Sequence, residues 1–485
     1  MASLAAPLIL GIDLGTSAVK AVALDSAGRV AASAAKAFDT LSDVPGAAEQ
    51  EPTDWIAAVR NACAALRAAL GASEATWRGS VAAIGLAGQL PTLVCGAGEH
   101  ALGRAVTWKD SRADEWARGA ISREEHRRLY ERTGMPIDAR YLGPMYAYHW
   151  SSRAAEVEWV LSAKDYLCFA LTGARVTDPS TAAGYAVFDA GAATFAADLC
   201  ERWQMPVATL PDLRASQTAA AGLTGTAARD LGLKPGIPVA VGCADSVAAA
   251  YAMAGLAERT VCVTMGSSTT ILDAVHERRL DPTARYLVTP HLVPGWYARE
   301  MDLLATGTGY RWLSDLLGWR EGTLDQRAAH SPPGARGLTF TPYLGGGEQG
   351  ALWDPALRAS IRGLALGHTA DDIARAFLEG VAFEITRCVE VLAETAPVRQ
   401  VVVSGPIVSH AASLQMLADI LGRPVRPCEL TSAAAVGAAL GASALPGEAR
   451  LPAPAPGTST RAVVPPGPAS AGYREIYARY EAAAR

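Results

Sequence analysis

An apolar strand, a tight turn of Gly with Ser/Thr, and a second apolar strand occur twice in this chain. That echo limits the folds open to it more than any other feature. The first copy runs Leu8-Ile-Leu-Gly-Ile-Asp-Leu14, then Gly15-Thr16-Ser17, then Ala18 to Leu24; the second is Thr260-Val-Cys-Val-Thr-Met-Gly-Ser-Ser-Thr-Thr-Ile-Leu-Asp273. The copies lie about 250 residues apart, too far for stacked solenoid units of about 20–50 residues, and fit a duplicated domain instead. Each copy predicts a hairpin whose turn is crowded with backbone N–H and hydroxyl groups.

Between the copies and beyond the second, helical stretches alternate with short apolar strands. Asp54 to Leu70 has helical spacing, whereas Val81 to Leu86, Ile237-Pro-Val-Ala-Val-Gly242 and Arg399-Gln-Val-Val-Val-Ser404 read as buried strands ending in small residues. The alternation predicts an α/β protein. At roughly 150 residues per domain, 485 residues allow two or three domains. The boundary is placed near 250–258, which gives domains 1–254 and 255–445. Residues 446–485 form a Pro/Ala-rich segment closed by a short helix, Tyr473 to Ala484, with Tyr473, Tyr477 and Tyr480 on one face.

Composition excludes several partners. Lys and Arg number 43 against 48 Asp and Glu, and no basic run interrupts the chain. No broad positive field for nucleic acid is expected, so any anionic ligand must be held locally. No stretch of 18 apolar residues predicts a membrane span. The apolar start, Met1 to Leu10, has no basic region before it and reads as structure, not as a signal peptide. Eight scattered cysteines without a Cys-x-x-Cys pair suit a reducing, cytoplasmic setting.

Three elements carry chemistry. Asp13 ends a strand beside Gly15-Thr16-Ser17, where a carboxylate can hold Mg²⁺ while N–H and hydroxyl groups face a phosphate. Alone that is a common turn with Asp as an acceptor. The second copy, Met265-Gly-Ser-Ser-Thr-Thr270, shifts the balance, because two such hairpins facing each other form a phosphate clamp. Asp245 follows Val241-Gly-Cys-Ala and opens the apolar helix Val247 to Ala254. It reads either as an N-cap or as a general base aimed into the cleft. By contrast, Gly345-Gly-Gly-Glu-Gln-Gly350 matches a dinucleotide pattern only formally. Trp353-Asp-Pro355 follows where that motif needs a helix, so the run reads as a Gly-rich loop.

With these elements in hand, the sequence resembles the FGGY family of carbohydrate kinases, most of all its xylulokinases. The likeness runs over nearly the whole chain. It includes Asp13-Leu-Gly-Thr-Ser17, Ala48-Glu-Gln-Glu-Pro-Thr-Asp-Trp55, Ala87-Gly-Gln89, Trp108-Lys-Asp-Ser-Arg112 and Lys164-Asp-Tyr-Leu167. It continues through Phe340-Thr-Pro-Tyr-Leu344, Trp353-Asp-Pro355, Gly363-Leu-Ala-Leu-Gly-His-Thr369, Ala376-Phe-Leu-Glu-Gly-Val-Ala382 and Ala435-Val-Gly-Ala-Ala439. The resemblance implies two actin-like (ribonuclease-H-like) domains with an interdomain cleft that takes ATP, Mg²⁺ and a small sugar, and it allows a homodimer.

Carried over residue by residue, the resemblance makes Asp245 the catalytic base and Asp13 the Mg²⁺/phosphate aspartate. It puts Gly15, Thr16, Ser17, Gly266, Ser267, Ser268, Thr269, Gly307, Gly405 and Ser409 on the nucleotide. Gln89, Leu90, Trp108, Asp110, Arg112 and Asp245 fall on the sugar, although Asp110 and Arg112 read equally as a structural salt bridge. The implied reaction is ATP-dependent phosphorylation of a ketopentose such as D-xylulose. The alternatives are another pentulose or polyol, such as ribulose or a sugar alcohol, or a non-catalytic sugar-binding protein on the same scaffold.

The chain departs from the family pattern in three places. Gly88-Gln89-Leu90-Pro91-Thr92 stands where xylulokinases have Gly-Gln-Met-His-Gly, and Pro91 cannot offer an imidazole to a sugar hydroxyl. Ser404-Gly405-Pro406-Ile407-Val408-Ser409 replaces a Gly-Gly-Gly-Ala run on the adenine side. The loop at 345–350 lacks an arginine expected near the cleft.

Overall fold

The structure is a computed structural model that describes residues 7–320, 322–345, 350–354, 356–445 and 461–483. Its frame is two sheets with the same strand order. In the first, Leu8–Leu14 pairs antiparallel with Ala18–Leu24, which pairs antiparallel with Val30–Ala37. On the other side Leu8–Leu14 runs parallel to Val81–Gly88, which runs parallel to Pro238–Ala240. In the second, Thr260–Met265 pairs antiparallel with Thr269–Val275 and that strand with Tyr297–Leu303. Gln400–Ser404 and then Val425–Cys428 follow in parallel on the other side. The five strands named in each sheet therefore lie in the same order, third, second, first, fourth, fifth. Ala219–Gly222 flanks the first set and Leu287–Pro290 the second, and the repeated hairpin lies at the centre of each.

Every residue of Leu8–Leu14 is buried. The strand has neighbours on both edges and helices on both faces, which is why it is apolar throughout instead of alternating. Helix Pro52–Ala69 covers one face, with Pro52 in its first turn and Trp55, Ala58, Val59, Ala62, Cys63 and Leu66 buried along one stripe. The other face is covered by Ala433–Ala442, a helix that belongs to the second half of the sequence. That helix also packs on Asp245–Ala254, which in turn lies against Thr260–Met265. The two halves are interlocked through these alanine-rich helices, and one core cluster draws on both sheets.

The contact demands small residues. A Cβ on Gly11 would sit 1.9 Å from the Ala435 carbonyl oxygen, and one on Gly437 would sit 1.8 Å from that of Ala248. No side chain larger than hydrogen fits between backbones that close.

The first lobe carries an insert built on Thr92–Ala97, Ala105–Thr107, Trp159–Leu161 and the short strand Glu49–Gln50. It supplies Trp108, Arg140 and Tyr141. The closing helix spans Ser470–Ala483 and docks on Ala370–Ala393: Tyr473, Tyr477 and Tyr480 donate to Glu379, Glu390 and Glu384 at 2.7, 3.0 and 2.7 Å. Residues 446–460 of the Pro/Ala-rich segment, and 346–349 of the Gly-rich run, lie outside the described residues. Among the described residues no helix is long and apolar enough to cross a membrane.

Candidate active site

Both central hairpins open onto one cavity of about 680 Å³ between the lobes. From the first come Asp13, Gly15, Thr16 and Ser17; from the second Gly266, Ser267, Ser268 and Thr270. Each turn is tight: the Gly15 amide donates to the Ala18 carbonyl at 3.1 Å and the Gly266 amide to that of Ser268 at 2.8 Å. Gly307 lies in the first turn of helix Thr306–Leu316, so close to the second hairpin that a Cβ there would sit 2.1 Å from the Gly266 oxygen. The N-terminus of that helix thus faces the same space as the hairpin amides, a setting that favours an anion. Gly405, Pro406, Ile407, Tyr310, His410 and Leu430 line its far end.

A smaller cavity of about 150 Å³ adjoins the first. Thr16, Trp108, Asp245, Ser246, Ser268 and Thr270 line both. Gln89, Leu90, Pro91, Arg140 and Tyr141 enter from the first lobe, and Glu300 and Asp302 from the second. Asp245 therefore stands at the junction of the two spaces.

Asp245 is the first residue of its helix, and Ala244 occupies the N-cap position. The Asp245 carboxylate accepts the Ser246 amide at 2.8 Å. Burial pushes its pKa up to about 6, against the pull of that amide and of Lys20. Asp13 is only 4% exposed, and its Oδ1 has no hydrogen-bond partner. Burial and the charge of Asp245 together push it up to about 7, with Lys20 opposing. Lys20 is the cross-strand partner of Asp13 in the hairpin register.

Behind the first hairpin, Gln50 is fully buried. Its Nε2 donates to the Thr16 carbonyl at 2.7 Å, and its Oε1 accepts Gln89 Nε2 at 2.8 Å and Trp55 Nε1 at 3.1 Å. The Ala48 to Trp55 motif thus fixes the turn and the Gln89 side chain together. Trp108 Nε1 donates to Thr16 Oγ1 at 3.3 Å.

Four expected contacts do not line either cavity. Asp110, 3% exposed, accepts the Ala48 amide at 3.0 Å and Arg112 Nε at 2.9 Å, while Arg112 Nη2 reaches Glu49 at 2.6 Å. The pair is a clamp within the insert, tying the turn after Ala105–Thr107 to strand Glu49–Gln50. Thr269 points into the core, its hydroxyl 2.7 Å from that of Thr306, because strand alternation gives the cavity Ser268 and Thr270 instead. Ser409 is exposed at the end of the short turn Pro406–Ser409, whose Pro406 and Ile407 line the cavity while Ser409 does not.

Sequence reasoning missed Lys20, Gln50, Arg140, Glu300 and Asp302. The signal for Lys20 was its place seven residues after Asp13 across a tight turn. For the two acids it was an i, i+2 carboxylate pair in strand Tyr297–Leu303.

The FGGY family of carbohydrate kinases matches through its N-terminal domain over residues 8–252 and through its C-terminal domain over 261–445. A xylulose kinase from Staphylococcus epidermidis is 26% identical over 440 residues, covering 89% of this chain and 87% of its own. A glycerol kinase from Alkalilimnicola ehrlichii is 30% identical over 465 residues, covering 90% of each. Among solved structures, the xylulose kinase from Rhodospirillum rubrum superposes with a TM-score of 0.82 at 27% identity, covering 98% of both chains.

Proposed function

The chain belongs to the FGGY family of carbohydrate kinases and is an ATP-dependent sugar kinase; from this premise we propose that it phosphorylates a small ketopentose such as D-xylulose, with Asp245 as general base. The observation that carries the reading is the position of Asp245 where the large and small cavities meet. A nucleotide fits the larger space, which lies in the usual range of about 300–1,000 Å³ for ligand sites, and the smaller suits a few carbons.

In this reading the chain contributes positioning and charge, which is most of what phosphoryl transfer asks of a protein. The two hairpin turns and the N-terminus of Thr306–Leu316 offer N–H groups to the phosphates. Lys20 adds a positive charge at the first hairpin. Asp245, held by the Ser246 amide, takes the proton of the attacking hydroxyl. A carboxylate pushed up to about 6 remains mostly ionised at pH 7 and is a stronger base than an ordinary aspartate. Closure of the lobes over the sugar excludes water as a rival acceptor.

The donor set fits Mg²⁺: Asp13 offers an unpartnered buried oxygen beside hydroxyl groups, the hard ligands this ion takes together with water and phosphate. When bound, the ion would offset phosphate charge that an acidic chain cannot.

A second reading, a polyol such as glycerol as acceptor, is favoured by the 30% identical glycerol kinase and by Leu90 and Pro91 in the small cavity. A coupled assay of kcat/KM over D-xylulose, ribuloses, glycerol and sugar alcohols separates the two. A clear D-xylulose optimum supports the first and a polyol optimum the second. In the same assay Asp245→Ala should lower kcat by about 10²–10⁴-fold with ATP binding retained, and full turnover in that variant would remove Asp245 from the base role.

A further inference from the structure

We propose that Asp302, with Glu300 beside it, forms a wall of hydrogen-bond acceptors in the smaller cavity that selects a neutral polyol and turns away sugar acids. The inference rests on the kinase reading above and names the substrate class of that same site.

Glu300 and Asp302 sit two residues apart on strand Tyr297–Leu303 and so share a face, which looks into the cavity. The Glu300 carboxylate accepts the hydroxyl of Ser246, neighbour of Asp245, at 2.8 Å. Among the described residues no group hydrogen-bonds the Asp302 carboxylate; its backbone oxygen accepts the Gly350 amide at 2.7 Å. Across the cavity, Gln89 is 1% exposed and its Oε1 has no partner, while its Nε2 is held by Gln50. A buried acceptor without a donor is costly, and Gln89 Oε1 is one; the half-buried Asp302 carboxylate opposite it adds further acceptor capacity to the same small space. The complement is a ligand with hydroxyl donors on adjacent carbons.

Charge decides against an acid. Asp245, Glu300 and Asp302 line the cavity against one guanidinium, Arg140, whose Nε already donates to both Asp138 oxygens at 3.0 Å. Burial pushes Asp302 upward and Asp245 adds to that, with Arg140 as the opposing charge. Burial and the neighbouring Asp302 push Glu300 up as well. A substrate carboxylate would therefore enter a space that already drives its own carboxyls toward the neutral form, and would meet the same cost. The wall belongs to the second lobe and Gln89 and Arg140 to the first, so one polyol satisfying both sides also draws the lobes together.

The test measures kcat/KM for D-xylulose, glycerol, ribitol and D-gluconate, with melting temperature as a second readout of binding, in wild type, Asp302→Asn and Asp302→Ala. Wild type should prefer its best neutral polyol over gluconate by about 100-fold or more. Asp302→Asn, which keeps the shape, should lose about 10–100-fold on the neutral polyol, mainly through KM, with no loss on gluconate. A neutral polyol should raise the melting temperature of wild type and not of Asp302→Asn. Equal use of gluconate by wild type, or an Asp302→Asn enzyme within about threefold of wild type on every substrate, overturns the inference. If no compound is phosphorylated, the substrate reading fails, and the melting data still decide: a polyol shift lost in Asp302→Asn supports the wall, and no shift in wild type overturns it.

Discussion

The two central hairpins occupy equivalent places in equivalent sheets, yet they carry different chemistry. At the position before the turn, the first has Asp13 paired across the strands with Lys20; the second has Thr264 paired with Thr270. The next strand over repeats the contrast. Val81–Gly88 leads into Gln89 and Leu90 in the small cavity, while Gln400–Ser404 leads into Gly405 and Pro406 at the far end of the large one. The two sheets present one backbone arrangement twice, with both sets of strand ends opening on a shared cleft; at the position before the turn the first hairpin is charged and the second is neutral.

This asymmetry predicts unequal costs. Asp13→Ala should reduce kcat by about 10²–10³-fold, since it removes the one carboxylate of the pair of hairpins that lines the larger cavity. Steady-state kinetics at saturating ATP and sugar would measure it, and partial recovery at raised Mg²⁺ would tie the loss to the ion. Ser268→Ala in the second hairpin removes a hydroxyl and leaves the turn amides. Its cost should be about 2–10-fold, the value of one neutral hydrogen bond. Equal losses in the two variants would break the comparison and make the second hairpin as chemically committed as the first.

How much of this could be read from the sequence follows from the same contrast. The hairpins were legible because strand, small-residue turn and strand are encoded in neighbouring residues, and the second copy gave the first its meaning. Asp245 was legible as a residue, while its choice between cap and base depended on a cleft that only tertiary packing creates. Glu300 and Asp302 were not legible. Tyr297-Ala-Arg-Glu-Met-Asp-Leu303 reads as a strand with a charged, solvated face, and what buries that face is the other lobe. For Asp110 and Arg112 the sequence left sugar contact and structural salt bridge open, because Asp, Ser and Arg in a turn look the same in either role; here they meet Ala48 and Glu49. Of the helix Ala433–Ala442, only Ala435-Val-Gly-Ala-Ala439 was legible, as part of the family likeness. That it covers the first-lobe sheet is set by Gly11 and Gly437, whose missing side chains let the backbones meet.

The smallest effect expected is on stability, and it runs opposite to activity. Asp13 is buried and pushed up to about 7, so the fold favours its neutral form. The stability linked to that form is fully present below the unfolded value near 4 and is lost as pH rises through 7. At pH 8 the native protein therefore holds a charge it would hold more cheaply unfolded. Asp13→Asn removes that charge without changing the shape and also relieves Asp245 of a like-charged neighbour. In the absence of nucleotide and metal, the variant should melt about 2–4 °C above wild type at pH 8. The gap should narrow steadily between pH 7 and pH 5, as wild type becomes protonated. In the second hairpin, Thr264→Val, which removes a hydroxyl and no charge, should show no such pH dependence. Melting curves at three pH values suffice: a gap for Asp13→Asn that stays constant with pH would mean that the charge is not what strains the first hairpin, and the contrast between the two copies would then be one of shape.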